Sequence, residues 1–148
     1  MKLLVVNGPN LNLLGERERE VYGGVSLKEI EEEMRKEAGE TELIFLQSNH
    51  EGEIIEALQR FHQEVEGVII NPGALSHYSL SLHDAIKALN IPVIEVHLTN
   101  VFARGRNEMV TAPACRGLIA GLGGEGYLLA LRYFLSLKGD LKRSHDSP

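Results

Sequence analysis

Short apolar runs alternate along this chain with longer segments of helical periodicity, and this alternation constrains the fold more than any other feature. The apolar runs are rich in Val, Ile and Leu at successive positions and cover residues 3–6, 43–46, 68–70, 93–96 and 118–119. Strands that are apolar at successive positions are typical of parallel sheets covered on both faces. Helices are predicted between them, over residues 27–37, 51–64, 79–89 and 124–137. This order of elements indicates repeated strand–helix units and an α/β fold.

Local signals support two of these helices. Ser26, with Glu29 three positions later, forms a capping box at the start of the first helix. In the second, one face carries apolar residues at helical spacing, namely Ile54, Ile55, Leu58, Phe61 and Val65. Five strands with helices on both faces predict a flavodoxin-like open parallel sheet, which binds ligands at the carboxyl ends of its strands. The chemistry is therefore expected in the loops over residues 7–25, 71–78 and 97–112.

Length and charge narrow the class of protein. The chain has 148 residues, so 1–148 is expected to form a single catalytic domain with a polar tail at 139–148. The formal net charge of −6 provides no basic surface for nucleic acid or anionic lipid. No apolar run has the length of a signal peptide or a membrane span, which predicts a soluble, cytoplasmic protein.

The inventory of reactive side chains disfavours several chemistries. Cys115 is the only cysteine, which excludes a disulfide within the chain, and its small and apolar neighbours favour a buried structural thiol over a nucleophile. The six histidines contain no H-x-x-x-H pair, so no metal site is expected. All lysines lie outside these three loops, which disfavours Schiff-base chemistry.

The glycine-rich segment 121–126 fits the G-x-G-x-x-G pattern of dinucleotide-binding proteins. That motif needs a further strand with an acidic residue about 20 positions later, and here the chain ends in its polar tail. We therefore interpret these glycines as positions that allow the last helix to pack closely on the sheet. No nicotinamide site, and no other cofactor site, is predicted.

The loop after the first strand carries a candidate base. A free phenol has a pKa of about 10, and a guanidinium held nearby lowers it because the positive charge stabilises phenolate. Arg17 and Tyr22 provide such a pair in a loop with enough apolar residues to close as a lid. From the residues alone, an exposed charge run at 16–20 beside a half-buried Tyr22 is the favoured interpretation, because exposed charge runs are common.

Two further loops carry polar side chains suited to a hydroxylated ligand. Asn71 and His77 flank a Pro-Gly turn after the third strand. Strand alternation places Glu95 and His97 on the same side of the fourth strand, where the carboxylate orients the imidazole and favours its protonated form, as a general acid requires. The amides of the next two residues can bind a carboxylate, and the following loop supplies arginines; these are Leu98, Thr99, Arg104 and Arg106.

Taken together, these motifs resemble the type II 3-dehydroquinate dehydratases over residues 3–137. The matching segments are 8–15, Tyr22-Gly23, 71–74, Ser76-His77 and 95–100. The resemblance implies a flavodoxin-like fold, no cofactor, a homododecamer built as a tetramer of trimers, and a role in the shikimate pathway or in quinate catabolism. The implied reaction is anti elimination of water from 3-dehydroquinate to 3-dehydroshikimate through an enolate.

The resemblance also implies a role for each site residue. Tyr22 removes the proton beside the ketone, Arg17 lowers the pKa of that phenol, and Asn10 helps to hold a water against the enolate oxygen. His97 protonates the departing hydroxyl and Glu95 orients it. The implied substrate contacts are Asn71, His77, Leu98, Thr99 and Arg106, with Asp84 reaching the site of a neighbouring subunit.

The chain departs from the family pattern at two places. Arg19 stands where the family usually has Pro, which places a second arginine near Tyr22, although the register favours Arg17. The segment 104–109 is about two residues shorter than expected. Counting back from Thr111 selects Arg106 as the substrate contact, whereas counting forward from residue 103 selects Arg104.

Three alternatives use the same fold. A flavin-binding electron carrier needs a hydroxyl-rich phosphate loop and bracketing aromatics, yet the chain lacks Trp and has Asn and Leu in its first loop. A phosphoacceptor receiver domain needs acidic residues where Asn7 and Asn71 stand. A non-catalytic oligomeric binding subunit requires a disabled lid.

Overall fold

Strands and α-helices alternate along the chain in the computed structural model, which describes residues 1–16 and 25–139. Within these ranges the strands are β1 (Lys2–Asn7), β2 (Glu42–Gln47), β3 (Gly67–Asn71), β4 (Val93–His97) and β5 (Gly117–Ala120). The helices are α1 (Leu27–Ala38), α2 (Glu51–Phe61), α3 (Leu80–Lys87) and α4 (Glu125–Gly139). Short 3₁₀ helices occupy Leu11–Leu13, Gly73–His77 and Ala112–Ala114. All five predicted strands are confirmed.

The five strands form one parallel sheet in the order β2-β1-β3-β4-β5. This is the flavodoxin-like order, with the connections reversing direction between β1 and β3. The register pairs Asn7 at the end of β1 with Gln47 on one side and with Asn71 on the other. The predicted fold class is therefore confirmed, and the carboxyl ends of β1 and β3 lie side by side.

Helices cover both faces of the sheet. Buried residues of α1 and α4 pack with Leu3, Val5 and Ile69 on one face. Buried residues of α2 and α3 pack with Leu4 and Val6 on the other. Because both faces are covered, successive residues of the central strands are buried, which explains their continuous apolar sequence.

Local hydrogen bonds define the start of α1 and the end of α2. The Ser26 hydroxyl accepts a 3.1 Å hydrogen bond from the Glu29 amide, as predicted. The second helix was predicted to reach residue 64, with Val65 on its apolar face, and this was wrong, since α2 ends at Phe61. The amides of Glu64 and Val65 both donate to the Phe61 carbonyl, at 2.8 and 3.1 Å. Val65 therefore lies in a turn before β3, although it is buried in the same core as α2.

The glycine-rich segment that leads into α4 allows close packing, as expected. A Cβ on Gly126 would lie 3.1 Å from Val96 Cγ1 and 3.4 Å from Ile119 Cγ2, so a side chain there would push α4 away from the sheet. Gly121 and Gly123 have φ angles of 90° and 61°, which only glycine adopts without strain. None of the helices in the described ranges has the length and apolarity to cross a bilayer.

Candidate active site

A cavity of about 140 Å³ lies at the carboxyl ends of β1, β3 and β4. Three loops that the sequence predicted to carry the chemistry contribute to its wall. The predicted site residues that line it are Asn10, Asn71, His77, His97, Leu98, Thr99, Arg104 and Arg106. The topology brings them together because parallel strands end at the same edge of the sheet.

Glu95 and His97 form a buried pair at the end of β4. Glu95 is fully buried and His97 is only 5% exposed. His97 Nε2 lies 2.7 Å from Glu95 Oε2, a charge-assisted hydrogen bond when the ring is protonated. Because Nε2 is occupied by the carboxylate, Nδ1 is the ring nitrogen left for a ligand in the cavity that His97 lines.

The second oxygen of Glu95 has its own partner, which sequence reasoning missed. The Thr111 hydroxyl donates a 2.5 Å hydrogen bond to Glu95 Oε1, and Thr111 is fully buried. The Cys115 thiol lies 3.9 Å from the same oxygen. Nothing in the local sequence around Thr111 indicates this contact, because the two partners are 16 residues apart in different elements.

Asn71 is anchored from beneath the cavity. Its Oδ1 accepts from the Gly73 amide at 3.1 Å, and its Nδ2 donates to the Tyr127 hydroxyl at 2.9 Å. That hydroxyl in turn donates to Asn7 Oδ1 at 2.5 Å. These bonds fix the orientation of the Asn71 amide, so the second hydrogen of Nδ2 remains for a ligand.

His77 lies beside His97 across the cavity wall. The two rings are stacked, with centroids 6.3 Å apart and planes inclined by 27°. His77 Nδ1 donates to the Glu108 carbonyl at 2.7 Å. A carbonyl only accepts, so Nδ1 carries a proton and Nε2 is the nitrogen available to a ligand.

Asn10 begins the loop after β1 in a left-handed conformation. Its φ is 70°, and it is the one residue other than glycine with positive φ in the described ranges. The backbone N–H of Asn10 donates to Asn49 Oδ1 at 2.9 Å. The side-chain Nε2 of Gln47 donates to the same oxygen at 3.2 Å. This network ties the start of the first loop to the end of β2.

The loop after β4 brings both candidate arginines to the cavity. Arg104 and Arg106 are exposed, and both line it. Arg104 Nη1 donates to Thr99 Oγ1 at 3.4 Å. A ligand in the cavity therefore has two guanidinium groups in its wall, which supply the local positive charge that an anion needs in a chain of net charge −6.

Four predicted residues are not among the described residues of the cavity wall. Asp84 is exposed on α3 and is not part of the lining. Arg17, Arg19 and Tyr22 belong to the segment 17–24, outside the described residues. The described residues contain no group of three or more His, Cys, Asp or Glu side chains arranged to hold a metal ion.

The Cys115 thiol has the environment of a structural residue. Burial raises the pKa of Cys115 above its ordinary value, and the charge of Glu95 and a hydrogen bond to it raise it further. A thiol that stays protonated is a poor nucleophile. The geometry therefore favours the structural interpretation made from the sequence.

Comparison with known proteins agrees with this geometry. The family model described as dehydroquinase class II matches residues 1–135. The 3-dehydroquinate dehydratase of Bacillus subtilis (strain 168) is 48% identical over 144 residues, covering 95% of this chain and 97% of that protein. The protein of the same name from Caldicellulosiruptor bescii is 53% identical over 135 residues, covering 88% of this chain and 93% of that protein.

Solved structures give the same result. The crystal structure of type II dehydroquinase from Butyrivibrio crossotus superposes with a TM-score of 0.86 at 40% identity, covering 90% of this chain and 96% of that one. The type II dehydroquinase from Propionibacterium acnes gives a TM-score of 0.87 at 34% identity, covering 91% and 96%.

Fold and site together define an enzyme, with a buried carboxylate–imidazole pair at the strand ends of a flavodoxin-like sheet. The chain belongs to the dehydroquinase class II family. The family predicted from the motifs is confirmed, and membership decides against the electron-carrier and receiver-domain alternatives.

Proposed function

We propose that this chain catalyses the anti elimination of water from 3-dehydroquinate, giving 3-dehydroshikimate through an enolate. Family membership supports the reaction. The observation that carries the site is the buried pair of Glu95 and His97, which borders a cavity with two arginines in its wall. A protonated imidazole held in this way is a general acid, and the arginines suit a carboxylate substrate.

The first step is removal of the proton beside the ketone. Tyr22 acts as the base in its phenolate form, and Arg17 stabilises that form by its positive charge. Asn10, which lines the cavity, holds a water against the enolate oxygen. The support for Tyr22 and Arg17 is the sequence match alone, since both lie outside the described residues.

The second step is loss of the hydroxyl group. Hydroxide is a poor leaving group, so His97 donates a proton from Nδ1 and the hydroxyl departs as water. As the enolate collapses, its electron pair forms the carbon–carbon double bond of the enone. Glu95 holds the opposite ring nitrogen and stabilises the imidazolium before the proton is transferred.

Substrate is held by the rest of the wall. Asn71 and His77 bind hydroxyl groups through Nδ2 and Nε2, the atoms their structural hydrogen bonds leave for a ligand. The amides of Leu98 and Thr99, with Arg106, bind the carboxylate. Arg104 lines the same cavity, so a comparison of Arg104→Ala with Arg106→Ala decides which guanidinium determines KM.

Assembly, location and cofactor use complete the proposal. The chain acts without cofactor in the cytoplasm, in the shikimate pathway or in quinate catabolism. It forms a homododecamer, a tetramer of trimers, in which Asp84 contributes to the site of a neighbouring subunit. The exposure of Asp84 on α3, outside the cavity of its own chain, supports that assignment.

Light scattering tests the assembly and should give twelve times the chain mass of 16.4 kDa. Prior treatment with a chelator tests the absence of a metal cofactor and should leave the activity unchanged.

The test is turnover of 3-dehydroquinate, followed by the absorbance of the conjugated enone. Wild type should be active, and Tyr22→Phe and His97→Ala should each lose about 10²-fold or more in kcat. Tyr133→Phe and His62→Ala are matched controls outside the cavity lining and should retain activity. Substrate stereospecifically deuterated at one or the other of the two hydrogens on the carbon that loses the proton distinguishes anti from syn elimination. Absence of turnover in the wild type would overturn the proposed reaction.

A further inference from the structure

The carboxylate of Glu95 is held at both oxygens. Oε2 faces His97 Nε2 at 2.7 Å, and Oε1 accepts the 2.5 Å hydrogen bond from the Thr111 hydroxyl. Glu95 is fully buried, so the side chains packed around it determine its orientation. A carboxylate with a single partner is free to rotate about its last bond, whereas one with a partner on each oxygen has one defined plane.

The Thr111 hydroxyl is committed to this contact. Thr111 occupies the N-cap position of the 3₁₀ helix Ala112–Ala114, where a threonine side chain commonly accepts a hydrogen bond from the backbone. Here the side chain makes no such cap bond. A carboxylate can only accept, so the hydroxyl must donate to Glu95. The contact therefore replaces the ordinary use of threonine at this position.

The backbone of Thr111 is fixed before any ligand binds. The Ser76 carbonyl accepts from the amides of Val110 and Thr111, at 2.7 and 3.3 Å. His83 Nδ1 donates to the Val110 carbonyl at 2.8 Å. Ser76 belongs to the 3₁₀ helix that also carries His77, and His83 belongs to α3. Two elements thus fix the backbone that places the hydroxyl beside the carboxylate.

We propose that Thr111 is a positioning residue for the general acid: it orients the Glu95 carboxylate, which in turn orients His97 and keeps Nδ1 facing the cavity. This inference rests on the proposed function for its effect on catalysis. Its structural content, the orientation of His97, does not depend on which substrate is bound.

Cys115 does not share this role. Its sulfur is 3.9 Å from Glu95 Oε1 but 3.5 Å from the Thr111 carbonyl. A thiol has one hydrogen and is a weak donor. At these distances the hydroxyl of Thr111 is the partner that fixes Glu95.

The experiment compares Thr111→Val, which removes the hydroxyl, with Thr111→Ser, which keeps it. In Thr111→Val, kcat should fall about tenfold or more with KM nearly unchanged, since the loss affects the acid and not the substrate contacts. Thr111→Ser should restore at least half of the wild-type kcat. Thr41→Val is the matched control: Thr41 is buried before β2, and its hydroxyl has no hydrogen-bond partner among the described residues.

A second readout is independent of turnover. In protein labelled with ¹⁵N-histidine, the proton on His97 Nε2 should give a downfield NMR resonance because it is bound to a buried carboxylate. This resonance should shift or broaden in Thr111→Val and should persist in Thr111→Ser and Thr41→Val. If Thr111→Val fails to fold, Thr111→Ala provides the same deletion without the added methyl group.

The outcomes separate the two proposals. An inactive wild type with the expected resonance pattern would overturn the proposed reaction and support the positioning role. An active wild type in which Thr111→Val retains wild-type kcat and an unchanged His97 resonance would overturn the positioning role. A rise in KM alone would do the same, because it would place Thr111 in substrate binding.

Discussion

The hydroxyl of Tyr127, on the last helix, accepts a 2.9 Å hydrogen bond from Asn71 Nδ2, at the end of the third strand. Tyr127 is fully buried, and its hydroxyl also donates to Asn7 Oδ1. Helix α4, which lines no part of the cavity, therefore controls the orientation of a residue that does. Burial raises the pKa of Tyr127, so the hydroxyl remains a donor throughout the physiological range.

Tyr127→Phe should therefore affect both stability and binding. It leaves Asn7 Oδ1 and one Asn71 Nδ2 hydrogen buried without a partner, which costs about 1–3 kcal/mol of unfolding free energy. Released from Tyr127, Asn71 should bind substrate less well and raise KM. Urea unfolding and steady-state kinetics measure the two effects. Tyr133→Phe is the control, because its hydroxyl only accepts from exposed Arg116, and it should change stability by less than about 0.5 kcal/mol.

Glu95→Gln should reduce kcat by about 10²-fold, with a small effect on KM. The neutral amide removes the negative charge that stabilises protonated His97. Glu51→Gln is a suitable control, since Glu51 also accepts from a hydroxyl, that of Ser79, but lies outside the cavity lining. Equal kcat values for wild type and Glu95→Gln would contradict the assignment of His97 as the general acid.

Gly8→Ala should disrupt the junction between β1 and β3. A Cβ on Gly8 would lie 2.5 Å from the Pro72 carbonyl oxygen, a backbone atom that can yield only if the cavity wall moves. We expect a loss of about 1–3 kcal/mol in stability and a clear fall in turnover. Gly52→Ala, within α2 and with no atom within 4 Å of the added Cβ, should instead raise stability by about 0.5–1 kcal/mol.

The raised pKa of the Cys115 thiol predicts that the stability of the protein depends on pH. Burial raises the pKa of its thiol above the ordinary value of 9.0. The folded state thus holds the proton more tightly than the unfolded state. The contribution of the thiol is complete below pH 9 and is lost as pH rises, by about 1 kcal/mol between pH 9 and 10.

Urea unfolding of wild type and Cys115→Ser at pH 8, 9 and 10 measures this effect. The serine variant should show the smaller decline, because a hydroxyl does not titrate in this range. The native thiol should also react slowly with a disulfide reagent at pH 8 and rapidly after unfolding. Fast labelling of the native protein would contradict the buried environment.

The sequence predicts the fold well because the relevant signals are local. Strands covered on both faces need apolar residues at successive positions, as residues 3–6 of β1 and 68–70 of β3 show. Glu95 and His97 could be paired from sequence because alternation along one strand places them on the same side. Val65 was misplaced because helical spacing alone does not show where the turn after Phe61 begins.

The contacts that the sequence could not predict join distant parts of the chain. Tyr127 lies 120 residues from Asn7, and its position on a helix predicts only a core residue. Thr111 precedes a short turn and shows no pattern linking it to Glu95. Both contacts depend on how α4 and the last loop pack on the sheet, so only tertiary structure reveals them.

Asn10 illustrates how two demands on one position restrict its substitution. The left-handed backbone, at a φ of 70°, is accessible without strain to glycine and at modest cost to asparagine. The proposed contact with a water requires a side-chain amide, which glycine lacks. A glycine at this position would adopt the same backbone conformation but could not hold the water. A glutamine would supply the side-chain amide but would strain the backbone. Of the twenty residues, asparagine satisfies both demands, so selection on the geometry of this loop and selection on the reaction favour the same residue.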